Sequence, residues 1–513
     1  MPIAFTLDGR TAEVPDDGAS LLEALRDRLG VRSPKDGCSP QGQCGCCTVL
    51  VDGQPRVSCV TPVRRVAGRS VTTVDALPEA EPWAQALCAT GGSQCGFCTP
   101  GIVVRLAALG RKGPLSPAAV DQALLAHLCR CTGWQTIREA ATLVAGGATP
   151  AARDLGAAER RAALEGRTPQ RVAPAVALGR GGFADDTAPA DALVAVRTAD
   201  GAWVVGATLT EARARAGKVQ GRRTSAAVEW PIAVPEGDWA RTLQTTWAEP
   251  AYLEPDASWC EPGAEPASPL ANGGAFGGKV ASEVAAVARR LADQHGRAVV
   301  VRYSREDVVR LGPKRPPLAA GVRADGTGVV RVRRTSGIVD AIAAVAPGLV
   351  VEEVDRPGPP TSAALRGAGW VEALALLASL ATGPDTVRTH EGAQAIAVVD
   401  GDSVHVRVRC GRPLDEVVLR SYCIGAAHQA LGWVRSEGIA LDDRGEPQDL
   451  TIRSFGVLRA LDTPSVTVEI EPDDGEPVNG SDAVLAAVAA AAWRADGFSP
   501  RWPGAAGGLR SAP

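Results

Sequence analysis

The chain has 513 residues, of which 45% are hydrophobic and 22% are charged, and its formal net charge is −4 at pH 7. This length is too great for one ordinary hydrophobic core, and the composition is that of a folded globular protein. The near-neutral charge excludes a broad basic surface, so we expect neither nucleic acid nor an anionic membrane surface as a partner. We find no export signal ahead of Ile3 and no apolar stretch that could span a bilayer, so we expect a cytoplasmic protein.

Residues 1–77 predict a small sheet folded over one helix. Residues 3–15 alternate between apolar and polar around Asp8-Gly9, a dipeptide that favours a tight hairpin turn. Ser20 is placed to cap a helix that runs through Leu29. Residues 48–52 and 55–59 predict a second hairpin, and residues 70–74 a further strand.

The pattern changes to helical spacing in residues 78–148, with segments around 83–90, 101–109, 117–128 and 135–143. A compact helical domain is therefore predicted. Residues 149–178 are rich in Ala, Arg, Gly and Pro without a sustained apolar period, so we expect a linker there. The remainder mixes short strands and helices, which we divide into a small α/β domain over 179–250 and a larger domain over 251–513.

Ten of the thirteen cysteines lie before residue 132. Such local clustering in a chain without an export signal favours metal or cluster ligation over disulfides. The first group contains Cys38, Cys44, Cys46, Cys47 and Cys59 in a glycine-rich setting that lets backbone N–H groups approach the sulfurs.

Four cysteines of this first group suit one 2Fe-2S cluster. The plant-type spacing has four residues between the first two ligands, whereas five separate Cys38 from Cys44. We assign Cys38, Cys44, Cys47 and Cys59, because Cys44 and Cys47 keep the expected two-residue spacing and Cys59 ends the paired strand. Cys46 would then point away from the iron. A zinc site or ordinary buried thiols is the alternative.

The second group consists of QCGFCTPG at residues 94–101 and CRCTG at residues 129–133. Each pair precedes a predicted helix, whose N-terminus favours an anionic cluster. We therefore predict a second 2Fe-2S cluster held by Cys95, Cys98, Cys129 and Cys131. The remaining cysteines and the scattered histidines lack partners at ligand spacing and are expected to be structural or exposed; they are Cys88, Cys260, Cys410, Cys423, His127, His295, His390, His405 and His428.

These motifs, in this order, resemble the iron-sulfur portion of the xanthine oxidase family of molybdenum hydroxylases. The resemblance implies an α+β multidomain protein: a β-grasp ferredoxin-like domain over 1–77, a four-helix 2Fe-2S domain over 78–148, and a shortened molybdopterin-binding-like region. It also implies an oxidoreductase that passes electrons through two 2Fe-2S clusters.

A weaker resemblance continues along the chain. PLANGGAFGGK, residues 269–279, is similar to the family's glycine-rich loop beside molybdopterin, and LRGAGWVEA, residues 365–373, to its arginine-glycine loop. This implies a molybdopterin site formed by Gly274, Phe276, Gly277 and Arg366, with Gln94 linking the pterin to the second cluster. For Gln94, the capping of a loop is the alternative.

The resemblance extends to a catalytic base. Gly475-Glu476-Pro477 is similar to the setting of the family's glutamate, which implies that Glu476 deprotonates a metal-bound hydroxyl. Its acidic surroundings leave a solvated loop glutamate as the alternative.

Two functional hypotheses remain open, because only about 365 residues follow the iron-sulfur part, roughly half of the family's usual molybdenum portion. The chain is either a molybdenum hydroxylase component that acts on a small-molecule substrate, or a catalytically silent electron-transfer or docking subunit that has lost the pterin. No G-x-G-x-x-G fingerprint lies between a strand and a helix, so FAD is expected on a separate subunit. A larger molybdenum subunit is the other expected partner.

Overall fold

The computed structural model describes residues 2–147, 151–217, 226–268, 273–279 and 282–504. Both predicted hairpins are present, and Ser20 caps the first helix by accepting a hydrogen bond from the Glu23 amide. The helix is short and continues as a π-helical turn over Ala24–Arg28. The elements of this part are β1 (Ile3–Leu7), β2 (Arg10–Val14), α1 (Leu21–Glu23), β3 (Thr48–Val51), β4 (Gln54–Val57) and β5 (Ser70–Thr72). The five strands form one sheet in the order β2-β1-β5-β3-β4.

Four helices follow, as predicted. They are α2 (Ala80–Thr90), α3 (Thr99–Gly110), α4 (Pro117–Leu124) and α5 (Gln135–Gly146). Helix α3 has proline in its first turn, which costs no hydrogen bond there. Their buried faces join one hydrophobic core with side chains from the far end of the chain, including Tyr422, Ile452 and Phe455. The helical region is therefore packed against the C-terminal half.

The linker predicted over 149–178 is wrong for the part that the structure describes. This stretch contains α6 (Leu155–Gly166), capped by Asp154, and the short α7 (Pro174–Ala177). The buried face of α6 consists of alanines and an ion pair between Arg161 and Glu165, whose atoms lie 3.3 Å apart with both side chains fully buried. Because that face is not made of large apolar residues, the sequence carries no helical hydrophobic period.

The middle of the chain forms a four-stranded sheet in the order β7-β6-β10-β9. The elements are β6 (Leu193–Arg197), β7 (Trp203–Gly206), α8 (Leu209–Ala216), β8 (Arg241–Thr245), β9 (Ala257–Cys260), α9 (Val284–His295), β10 (Val299–Arg302) and α10 (Arg305–Leu311). Strands β6 and β10 run parallel, and α9 lays its apolar face against the same core.

The C-terminal part adds two further sheets around two long helices. Its elements are β11 (Leu318–Val322), β12 (Gly328–Arg333), α11 (Ile338–Ala343), β13 (Leu349–Val354), α12 (Trp370–Ala378), β14 (Val387–Arg388), β15 (Gln394–Asp400), β16 (Ser403–Arg409), α13 (Glu416–Arg435), β17 (Ser465–Ile470), α14 (Ser481–Ala495) and β18 (Arg501–Trp502). The sheets have the orders β13-β12-β11-β8-β18 and β14-β15-β16-β17. The protein is thus a multidomain α+β structure. Among the described residues, no helix is both long and apolar enough to cross a membrane.

Candidate iron-sulfur site

The first group of cysteines brings four thiols into one buried row. The Cys38 sulfur interacts with the side chains of Cys44 and Cys59, and these interactions hold the pKa of Cys38 well below its usual range. Cys59 also contacts Cys47, so the row runs Cys44, Cys38, Cys59, Cys47. All four side chains are buried. The four residues selected from spacing are therefore adjacent in space.

Backbone N–H groups point at these sulfurs, as expected for a site that must hold negative charge. The amides of Gln41 and Gln43 lie 3.1 and 3.5 Å from the Cys38 sulfur. The amide of Cys59 lies 3.4 Å from the Cys47 sulfur. Such donors stabilise thiolates and the added charge of a reduced cluster.

The second group forms a matching row at the N-termini of α3 and the loop before α5. The Cys129 sulfur interacts with the side chains of Cys131 and Cys98, and these interactions hold the pKa of Cys129 well below its usual range. The sulfurs of Cys131 and Cys95 lie 3.6 Å apart, which completes the order Cys98, Cys129, Cys131, Cys95. The Thr132 hydroxyl lies 3.2 Å from the Cys129 sulfur.

The two rows lie side by side and are joined through the backbone. The amide of Leu128, next to Cys129, donates to the carbonyl of Cys44 at 3.0 Å. The chain at Gly45 packs so closely on α3 that a Cβ at Gly101 would lie 2.3 Å from the Gly45 oxygen. The His127 ring fills the space beside Gly45, and burial lowers its pKa to about 3. The ring is therefore buried and neutral at pH 7.

The C-terminal half encloses both rows. Arg130, between two cysteines of the second row, forms a buried two-pronged ion pair with Glu437. The side-chain amide of Gln41 donates to the carbonyl of Leu450 at 2.9 Å, and Arg453 donates to the carbonyl of Gln43 at 2.9 Å. The loop that carries the extra residue is therefore anchored by residues more than 400 positions away.

Comparison with known proteins agrees with this geometry. Residues 5–69 match the family described as a 2Fe-2S iron-sulfur cluster binding domain, and residues 73–142 match the [2Fe-2S] binding domain. The isoquinoline 1-oxidoreductase subunit alpha of Brevundimonas diminuta is 41% identical over 142 residues, which are 26% of this chain and 92% of that protein. The chain belongs to the xanthine oxidase family of molybdenum hydroxylases. It is an oxidoreductase of that family with two 2Fe-2S binding domains.

Other molybdenum hydroxylases match to different extents. A probable xanthine dehydrogenase subunit of Bacillus subtilis is 35% identical over 27% of this chain and 81% of that protein. The xanthine dehydrogenase of Blastobotrys adeninivorans is 36% identical, but the match spans only 14% of its length. In fold, the aldehyde oxidoreductase of Desulfovibrio gigas aligns with a TM-score of 0.68 at 16% identity, covering 96% of this chain and 97% of that one.

The residues of both rows suit 2Fe-2S clusters. A cluster of this kind takes four cysteine thiolates, and each row offers four thiols, mostly buried, beside N–H or hydroxyl donors. Across the described ranges, no three Cys, His, Asp or Glu side chains surround a position for a single metal ion.

The residues expected to hold molybdopterin do not suit it in this structure. The Arg366 guanidinium donates to Asp482 at 2.7 Å and to the Ser481 hydroxyl, and it lies over the Phe276 ring. Gly277 has a φ of 85° and faces protein, because a Cβ there would lie 1.9 Å from the Ala364 oxygen. Gly274 lies in the adjoining turn over Gly273–Ala275. Residues 269–272 of the same predicted loop lie outside the described residues.

Gln94 is held by protein groups. Its amide nitrogen donates to the carbonyl of Cys131 at 3.1 Å and to the Ser421 hydroxyl at 2.9 Å. Tyr422 of α13 lines the same pocket as Gln94 and packs edge-on against Phe276, and its hydroxyl accepts from Gln170 at 2.6 Å. Among the described residues Gln94 Oε1 has no partner, but the pocket beside it has room for about one water molecule. A pterin does not fit there.

Glu476 does not lie with the other predicted site residues. Its side chain is 91% exposed in the loop before α14, and its carboxylate lies 3.7 Å from Arg412. A general base at a metal-bound hydroxyl needs an enclosed position within hydrogen-bond reach of the reacting group. The placement matches the alternative of a solvated loop glutamate.

Glu437 is the contact that the sequence did not indicate. Arg130 is visible inside the CRCTG motif, but its partner lies 307 positions away in a segment without a motif. The four unassigned cysteines are buried away from both rows, and of the five histidines only His127 and His428 are buried. These agree with the structural roles expected for them.

Proposed function

We propose that this chain is the electron-transfer component of a molybdenum hydroxylase-type oxidoreductase and that it holds two 2Fe-2S clusters but no pterin of its own. The ligands are Cys38, Cys44, Cys47 and Cys59 for the first cluster and Cys95, Cys98, Cys129 and Cys131 for the second. The two rows of adjacent thiols are the observation that carries this proposal. A 2Fe-2S cluster accepts and releases one electron at a time.

The protein's own residues position, shield and connect these sites. The domains over 1–77 and 78–148 each present one row, and the Leu128–Cys44 hydrogen bond keeps the rows together. Residues 179–250 and 251–513 cover them with apolar side chains and with the Arg130–Glu437 pair. Exclusion of water favours efficient electron transfer, because less solvent has to reorganise when the charge changes.

The molybdenum centre and the flavin would then belong to other polypeptides. The named relatives that this chain covers best are themselves subunits, which supports such an arrangement. The alternative is a chain that binds its own molybdopterin and oxidises a small-molecule substrate. The fold similarity to aldehyde oxidoreductase favours that alternative, whereas the protein partners already bound by Gln94 and Arg366 oppose it.

Metal analysis distinguishes the two functions. The protein is purified from a host that makes molybdenum cofactor, and iron, acid-labile sulfide, molybdenum and pterin are quantified. We expect about four irons per chain, no molybdenum, and two rhombic resonances after dithionite reduction. Stoichiometric molybdenum and pterin would support the alternative, and a protein without iron would refute both.

A further inference from the structure

Cys46 is a fifth buried thiol beside the first row. Its side chain is 0% exposed, and its sulfur lies 3.8 Å from the carbonyl oxygen of Cys44. A Cβ on Gly37 would lie 3.1 Å from the sulfurs of both Cys44 and Cys46, so the Cys46 sulfur adjoins the Cys44 end of the row. The Cys46 thiol therefore lies beside a residue that the proposed function assigns as a ligand.

The backbone brings the sulfurs of Cys44 and Cys46 to the same place. The two residues flank Gly45, which has a left-handed φ of 73°. A Cβ on Gly37 would lie 3.1 Å from both sulfurs, so they approach one point of the loop from two sides. The sulfur of Cys46 can therefore turn toward the position of the Cys44 sulfur by rotation of its own side chain.

The loop between Cys38 and Cys44 is longer than the plant-type spacing requires. Five residues separate Cys38 from Cys44, one more than in the plant-type spacing, and Gly42 provides a second left-handed turn with a φ of 70°. The backbone of residues 44–46 is held as well, because the Cys44 carbonyl accepts from the Leu128 amide at 3.0 Å and the Cys46 carbonyl from the Lys35 amide at 3.2 Å. A change of ligand therefore requires rotation of the two cysteine side chains on a fixed backbone.

We propose that Cys46 is a reserve ligand of the first cluster, able to replace Cys44 as the fourth thiolate. This inference rests on the proposed function. In the exchange, the iron–sulfur bond to Cys44 breaks and one to Cys46 forms, the proton of the Cys46 thiol passes to the released Cys44 thiolate, and the oxidation state of the iron does not change. The first site would then tolerate the loss or oxidation of one cysteine.

Three variants of the full-length protein test this inference: Cys44→Ala, Cys46→Ala and the double variant. Alanine is chosen because it offers no atom that can bind iron. We expect about four irons per chain in the wild type and in both single variants, and about two in the double variant. In Cys44→Ala the resonance of the first cluster should change its g values, because a different thiolate binds the iron.

The second cluster serves as the internal reference. Its resonance and its two irons should persist in all variants, so a variant that fails to fold is recognised by the loss of both signals. Cys88→Ala, at a buried thiol outside both rows, is the matched control. If Cys44→Ala retains only about two irons, as the double variant does, the reserve role is refuted while the proposed function stands. A wild type without four irons would instead refute the proposed function.

Discussion

Both terminal guanidinium nitrogens of Arg130 bind the carboxylate of Glu437, at 2.6 and 2.7 Å, and the two side chains are 3% and 1% exposed. Arg130 also donates to the carbonyl of Pro250 at 3.0 Å. Because Arg130 stands between Cys129 and Cys131, this pair fixes the second cysteine row to the segment that follows α13. The C-terminal half thereby becomes part of the cluster site.

Replacement of Glu437 should destabilise this region strongly. In Glu437→Gln a buried arginine loses its counter-charge, which typically costs about 3–5 kcal/mol. We expect a clearly lower urea midpoint, followed through cluster absorbance and tryptophan fluorescence. The control is Glu79→Gln, which breaks an exposed pair with Arg111 and should cost about 1 kcal/mol or less. Equal midpoints for the two variants would contradict the structural role of Glu437.

Gly425 is the point where α13 meets the second cysteine row. A Cβ there would lie 1.8 Å from the carbonyl oxygen of Cys131. A Gly→Ala change inside a helix normally stabilises a protein by about 1 kcal/mol. Gly425→Ala should instead destabilise this protein, because the new methyl group would clash with the Cys131 carbonyl, and it should alter the resonance of the second cluster. Gly146→Ala, at the last residue of α5 where a Cβ would meet open space, should leave the protein equally stable or slightly more stable and should leave the resonance unchanged. A stabilised Gly425→Ala protein would show that the helix does not pack here as described.

His428 should make stability depend on pH. Burial, with a further contribution from nearby Arg130, lowers its pKa to about 4, compared with about 6.5 in an unfolded chain. Below pH 6.5 the unfolded state binds a proton at His428 that the folded state does not bind. The free energy of unfolding is therefore highest above pH 6.5 and decreases as the pH falls toward 4. The expected slope is about 1.4 kcal/mol per pH unit.

The measurement compares urea midpoints at pH 7 and pH 5. His428→Gln keeps a donor for the Leu458 carbonyl, which lies 3.1 Å from the ring nitrogen, but removes the titrating group. The variant should therefore lose less stability on acidification than the wild type. The same loss in both proteins would mean that His428 is not held neutral by the fold.

The two cysteine rows should load independently. Cys95→Ala removes one end of the second row, so we expect about two irons to remain, together with the resonance of the first cluster. Cys260→Ala, at a buried thiol in the middle sheet, should retain about four. Complete loss of iron in Cys95→Ala would indicate that the two sites assemble only together.

The eight cysteines of the two rows could be selected from the sequence, because ligands of one cluster come from short segments with fixed spacing. The hairpins and helices of residues 1–147 could be predicted equally well, since turn residues and hydrophobic periods are local signals.

The surroundings of the predicted pterin residues could not be predicted in this way. Phe276, Gly277 and Arg366 do come together, yet the sequence could not tell that Asp482 and Ser481 would bind the arginine.

The sequence by itself determined which sulfurs can bind iron and which local elements carry them. Only the tertiary structure decided that α6 is buried, that Glu437 pairs with Arg130, that Asp482 binds Arg366, and that Glu476 faces water. Spacing and capping depend on neighbours in the chain, whereas burial and these ion pairs depend on residues distant in the chain. No local pattern records those contacts, because each of them forms only when the complete chain is packed.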